Sequence, residues 1–427
     1  MIDARHRRPR VAPQLVSGPA LGIADAGVSS LGNFAVGVMA ARTLDLPAFG
    51  TWSLALLLAL VSTGLWRAGF SETLVLGHAA DDPGPRRDAA RRAVGAALDR
   101  AVRWGAAVAA IGAVVVWAGA RDVRSALLVG VVLILVLPCL VTQDVLRSVA
   151  YAVGRPAAAL ANSAAWTVAL LTGLVVLSLA SVPAGPAGLL LLWGGTAGVG
   201  ALAGSIATGT PVRPGGGARW LREHAGSARS LATDFALTQT SAEASMILVG
   251  VVAGAEATGL LRLGQLPLTP VIVLTNGLVA AVQPALVRRV AEGRGRSEIA
   301  RSAWFLGLGS GAVALVLGVA VMVLPVSWVS LIVGDGWPRA RGLVPLLSLY
   351  LGLGALAACL GIGLRSFGQV SDQVRARILL VPVTLVLVVL GAYLGGAGGA
   401  ATALSASLVC TTLVWAWLIA APRGTAP

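Results

Sequence analysis

The chain has 427 residues, 57% of them hydrophobic and 12% charged, with a mean hydropathy of +0.85. A soluble globular protein of this length has no use for so much apolar surface, so a polytopic membrane protein is the class that fits. The formal charge of +14 comes from arginine alone, and these arginines punctuate apolar runs, which argues for membrane-flanking loops and against a nucleic-acid partner.

The N-terminal MIDARHRRPR has the charge of a signal-peptide start. The helix after it carries Asp25 and Asn33 and runs past twenty residues, so it reads as an uncleaved first span. A crossing needs about twenty mostly apolar residues. Twelve stretches meet that need: 17–41, 48–72, 104–120, 125–147, 156–181, 187–209, 231–253, 258–286, 304–333, 343–366, 376–395 and 398–420. In the first, Asp25, Ser29 and Asn33 recur every four residues and share one helix face. A carboxylate at that depth costs roughly 2.5–3.5 kcal/mol on insertion scales, so it is seldom there without a role.

The turn AARTLDLPAFG leads into the second span, which carries Arg67 late and Glu72 five residues on. Before the third span, RRDAARRAVGAALDRAVRW reads as a separate interfacial helix. Asp88 and Asp99 there each stand four residues before an arginine, Arg92 and Arg103. Thr210 to Ser230 reads as a Gly/Pro linker followed by a short basic helix; it lacks the strand and the GK[ST] ending of a phosphate loop.

Beyond that linker the first hairpin returns. Asp234 and Thr238 lie 209 residues after Asp25 and Ser29, and Gly259 lies 209 residues after Gly50. A repeated polar-striped hairpin predicts two related lobes around a central cavity. The expected organisation is a basic N-terminus (1–16), a six-helix lobe (17–209), a basic linker (210–230), a second six-helix lobe (231–420) and a tail (421–427). The seventh span adds Gln239, Ser241, Glu243 and Ser245 to its polar face. The eighth, opening with Arg262 just after Glu256, contains Pro267, Pro270 and Pro284, each able to kink it. Small residues four apart, as in Gly200/Gly204 and Gly307/Gly311, permit close helix contact.

With these spans, twenty-five arginines fall on the face that holds both termini and five (Arg42, Arg121, Arg124, Arg339, Arg341) on the other, which places both termini in the cytoplasm. Cys139, Cys359 and Cys410 sit in apolar runs and read as small core residues; His6, His78 and His224 are too scattered for a zinc site.

LGNFAVGVMAARTLDLPAFGTWSLAL and VGVVAGAEATGLLRLGQLPLTPVIVLTNGLVAAVQPALVRR, with GDGWPRARGLVPLLSLYLGLGAL and the echo of VLRSVAYAVGRP in GLRSFGQVSDQ, resemble the polysaccharide or lipid-linked oligosaccharide flippases of the MATE-like MOP superfamily. The resemblance spans nearly the whole chain. It implies an all-α membrane protein of twelve helices in two pseudo-symmetric six-helix bundles, rocking between inward-open and outward-open states. It also implies cell-surface polysaccharide synthesis in the cytoplasmic membrane, and cargo carried on a polyprenyl pyrophosphate. Membrane lipids are expected partners, with room for glycan-assembly proteins at the cytoplasmic face.

Four residues form the expected substrate set: Arg67, Arg262, Asn33 and Gln265. Guanidinium pairs bidentately with phosphate oxygens; the plainer reading has each arginine snorkelling or paired with Glu72 or Glu256. Asp25, Asp234 and Glu243 form the ion-coupling set. MATE-type relatives often use a first-helix carboxylate for a proton or sodium ion; the plainer reading for Asp25 is a helix-to-helix hydrogen bond or an arginine pair. Asp144 reads as a local partner of Arg147. No cofactor is expected beyond coupling to proton, sodium or membrane potential. The connections opposite the termini are short and carry no histidine, which argues against an enzyme. A MATE-like proton- or sodium-coupled drug/cation antiporter is the alternative.

Overall fold

Wherever the computed structural model describes them, the predicted spans are helical; it describes residues 14–78, 83–180, 184–237 and 241–421. Thr238 and Gln239 lie outside the described residues, as do most of the basic N-terminus and the tail. Ten helices are long and apolar enough to cross a membrane. The last of them, Ser371–Ala420, supplies two crossings. It breaks at Gly395 and Gly396, where φ of Gly396 is +56°, and folds back so that Gly391 packs against Gly399. That left-handed conformation is open to glycine at no steric cost. The seventh span is the short apolar helix Ser241–Ala253, preceded by Ala225–Phe235.

The first span is Gln14–Thr43 and the second Leu46–Trp66. Asp45 caps the second, accepting from the Ala48 amide at 2.8 Å, and Pro47 sits in its first turn, where a missing N–H costs nothing. Past Trp66 the same rod widens into a π turn, Arg67–Glu72, before Thr73–His78. The fourth span, Val123–Ala152, is capped by Asp122, which accepts from the amides of Arg124 and Ser125. Hydrogen bonding by Ser125 holds the Asp122 carboxyl below the usual carboxylate range.

Two expectations are corrected here. The third span and the basic stretch before it form one 38-residue helix, Pro83–Ala120, rather than an interfacial helix and a separate crossing. Its alanine face (Ala89, Ala93, Ala96, Ala97) is buried against Phe70, Leu74, Val145 and Trp220, so protein rather than lipid covers it. Asp99 pairs with Arg103 at 2.9 Å as its spacing predicts, whereas Asp88 pairs with Arg91 at 3.7 Å instead of Arg92. The linker drapes over this helix: the Gly215 amide donates to the Gly95 carbonyl at 3.0 Å, and a side chain at Gly95 would press on the Arg213 carbonyl. The short helix that follows, Gly217–Glu223, buries Trp220; Arg219 donates to Glu223 at 2.7 Å and holds that carboxyl below its ordinary value.

The second correction concerns the ninth span, which ends at Val323 rather than 333. Pro325 disfavours a helical residue before it, and Leu324 is extended accordingly (φ −60°, ψ 143°). Val326–Val333 becomes a separate short helix. In the eighth span, Pro267 falls in a single 3-10 turn, Leu266–Leu268, between Ala255–Gln265 and Thr269–Ala291.

The repeat read from the sequence has a physical counterpart. Gly50 and Gly259 touch: a Cβ on Gly259 would lie 3.1 Å from the Gly50 nitrogen and 2.7 Å from the Leu46 carbonyl oxygen, and one on Gly50 would run into the Ala255 carbonyl. Two further close approaches bring the halves together: Gly334 packs on Ala41, and Gly119 packs on Gly250. These contacts, with Arg42 donating to the Leu331 carbonyl at 2.6 Å, join the two halves on the face opposite the arginine-rich connections.

Candidate functional site

Ionic side chains gather at two levels. The first lies near the arginine-rich, or basic, face in the N-terminal half. At about 1.5 Å per helical residue, Asp25 stands about 27 Å from the far end of its helix at Thr43, and Arg67 and Asp144 about 32 Å from the starts of theirs. They are level with one another, which lets three spans contribute to one cluster.

Asp144 is its hub. Arg67 donates Nε and Nη2 to the two carboxylate oxygens at 2.8 and 2.9 Å, the parallel fork that guanidinium makes with planar anions. Arg147, one turn along from Asp144, donates Nη2 to Oδ1 at 3.0 Å. The Asp144 side chain is 9% exposed, against 23% for Arg147 and 41% for Arg67. So the anion is buried while Arg67 keeps an exposed edge. The π turn sets this geometry: Arg67 begins it, and π turns recur at functional sites because the extra residue re-aims a side chain.

From Arg147 the network continues into the first span. Arg147 Nη1 reaches the Ser29 hydroxyl at 3.3 Å, Ser29 donates to Ser163 at 3.1 Å, and Ser163 donates to Asp25 Oδ1 at 2.5 Å. Tyr151 donates to Asp25 Oδ2 at 2.8 Å. Asp25 is 4% exposed and both its oxygens are served by hydroxyls. Among the described residues no arginine pairs with it. Asn33, third on the stripe, is exposed: its carbonyl accepts from Trp193 at 2.9 Å and its amide donates to the Ser29 carbonyl at 3.2 Å.

The second level lies deeper, in the C-terminal half. Glu243 stands about 15 Å from the far end of its helix and Arg262 about 10 Å from the start of its own. Each lies within electrostatic reach of the other, and Tyr350 within reach of Glu243. Arg262, Glu243 and Gln265 are half-buried. Among the described residues they make no hydrogen bond or ion pair with protein.

Several expected partners are different from those the spacing suggests. Arg67 takes Asp144, on the fourth span, as its bidentate partner rather than Glu72. Glu256 pairs with Arg339, from the connection before the tenth span, rather than with Arg262, which lies six residues on and so on the other side of the helix. Asp234, the repeat of Asp25, is not in an equivalent setting: its side chain is 55% exposed and lies 3.8 Å from Arg377. Asp144 is more than the local partner of Arg147 that its spacing suggests, and no sequence signal ties it to an arginine 77 residues away. Tyr151 and Ser163 carry no sequence signal either.

A cavity of about 1180 Å3 opens on the opposite face between the first span and the fifth and sixth, lined by Leu31, Phe34, Met39, Leu171 and Leu174 with Arg42 and Asp45 on its rim. None of the ionic residues above lines it.

No protein-family model matches the chain, and neither does any curated protein sequence. Solved structures do match in fold. One described as lipid II flippase MurJ in an inward closed conformation aligns with a TM-score of 0.69 at 9% identity, over 93% of this chain and 87% of that one. An inward-facing multidrug resistance MATE family transporter of the MOP superfamily also gives 0.69, at 14% identity over 92% of this chain and 94% of that one. An outward-facing one gives 0.56 at 15% identity, over 96% of both chains. The chain therefore has the all-helical, multi-pass membrane fold that MurJ and the MATE transporters share.

Proposed function

We propose that the chain is an alternating-access transporter of the MOP superfamily, and that its cargo is an oligosaccharide carried on a polyprenyl pyrophosphate, moved from the cytoplasmic to the outer leaflet. On this reading the basic face is cytoplasmic, the two halves are six-helix lobes, and the molecule is caught open inward. The contacts that join the halves on the opposite face support that state. The observation that carries the cargo class is Arg67. A guanidinium fork at the basic end of its span, 41% exposed and already gripping a planar anion, is the group that recognises a phosphate. Arg262 and Gln265, without protein partners among the described residues, offer a second contact deeper in the membrane.

A cation antiporter is the second reading, and one observation favours it: Asp25 is a buried carboxylate served only by hydroxyls, the setting of an ion-coupling group. Deleting the protein separates the two. The flippase reading expects lipid-linked glycan precursors held on the inner leaflet and loss of the finished surface polymer. Unchanged surface glycan, with new sensitivity to cationic drugs, would transfer the assignment to the antiporter.

A further inference from the structure

The fork at Asp144 holds more cation than anion. Arg67 and Arg147 share a single carboxylate, Asp144, but they hold it in different ways. Arg147 is on the same helix, one turn away, so its pairing with Asp144 is local and survives any movement between spans. Arg67 comes from another span, through a π turn, and is the more exposed of the two. Of the two, Arg67 is therefore the arm that can leave.

We propose that Asp144 is the resident anion of the empty carrier: it occupies the Arg67 fork until a phosphorylated headgroup displaces it, and Arg147 keeps it neutralised once displaced. The inference rests on the anionic-cargo reading and adds a residue and an exchange that reading lacks. The charge balance favours it. An empty site that left Arg67 and Arg147 unpaired would place two like charges side by side at low dielectric. A cargo that displaced Asp144 without a second partner would strand a buried carboxylate. The three-member arrangement avoids both, because one ion pair persists in either state. A pyrophosphate outcompetes a carboxylate for the fork because it brings more charge and more acceptor oxygens. Once the headgroup has gone, Asp144 reclaims the fork and removes the free cation that would otherwise retain product.

The test uses the purified full-length protein with inorganic pyrophosphate as the probe, read by calorimetry or by its effect on thermal stability. Asp144→Asn removes the competitor, so binding should tighten about tenfold relative to wild type, the size expected for one charge-assisted contact. Arg67→Ala should abolish it. Asp144→Asn leaves two guanidiniums facing each other and can fail to fold for that reason. The charge-balanced Asp144→Asn/Arg147→Gln variant avoids this and should also bind more tightly than wild type. If Arg147 acts only through Asp144, the single and double variants should bind equally. Binding by wild type that neither variant strengthens overturns the inference and leaves the cargo reading standing. No binding of pyrophosphate by any of the three overturns both.

Discussion

Asp25 is placed so that charge is the one property a conservative substitution removes. Its oxygens accept from Ser163 and Tyr151, and Ser163 in turn accepts from Ser29. An asparagine amide can keep the Tyr151 bond through its carbonyl, while Ser163 turns to accept from its nitrogen and donates to Ser29 instead. The cost should stay within the roughly 1–3 kcal/mol of a buried polar group imperfectly paired. Asp25→Asn is thus expected to fold with a modestly lowered melting temperature. If the ion-coupling proposal is correct, transport into vesicles should lose its dependence on an imposed proton or sodium gradient. Dependence equal to wild type would leave Asp25 a packing residue. This site was half legible in the sequence. The stripe of Asp25, Ser29 and Asn33 is a matter of helical period, and the structure keeps it. The partners are a matter of tertiary approach: Ser163 and Tyr151 are 138 and 126 residues away, and no local pattern encodes that distance. Arg67 shows the same division, a cation late in its span readable by composition whose anion is not.

At the scale of helices, the legible part was periodicity and the illegible part was continuity. The turn at GGAGG and the boundaries at Asp45 and Asp122 follow from backbone chemistry that belongs to the residues themselves. Whether RRDAARRAVGAALDRAVRW lies on the membrane or extends a span depends on what covers its alanine face, and Phe70, Val145 and Trp220 come from three other segments. The glycine repeat was visible as a spacing, but only the fold shows Gly50 meeting Gly259 where the halves join. That contact yields a prediction. A methyl at either position overlaps backbone atoms that cannot move independently, and overpacking of this kind costs typically 1–3 kcal/mol. The cost falls only on the state in which the two hairpins touch, so Gly50→Ala or Gly259→Ala should shift the population toward an outward-open form about tenfold or more. The readout is maleimide labelling, from outside, of Ala41→Cys, a position 6% exposed here, after removal of Cys139, Cys359 and Cys410. Unchanged labelling in a protein of normal abundance would mean that this contact is no gate.

For the whole molecule the question is what drives the cycle, and the charge distribution bears on it. A membrane potential negative inside does about 2.3 kcal/mol of work per elementary charge per 100 mV. A pyrophosphate headgroup with about two negative charges that crossed the full field outward would gain roughly 4–5 kcal/mol at that potential. An export step so favoured needs no coupled ion. The empty carrier must then return with whatever charge its cavity retains. With Asp144 back in the fork, the Arg67–Asp144–Arg147 cluster keeps one excess positive charge, which the same field pulls inward as the lobe swings back. Both half-cycles would run with the potential, the loaded one by its cargo and the empty one by its own arginine. Purified protein in vesicles carrying a lipid-linked saccharide pyrophosphate should therefore flip it severalfold faster under a potassium diffusion potential negative on the loading side. Reversing the polarity should slow it, and an uncharged headgroup analogue should show no dependence. A rate indifferent to potential, or one slowed by a negative loading side, would exclude an anionic cargo and favour a cation moving the other way.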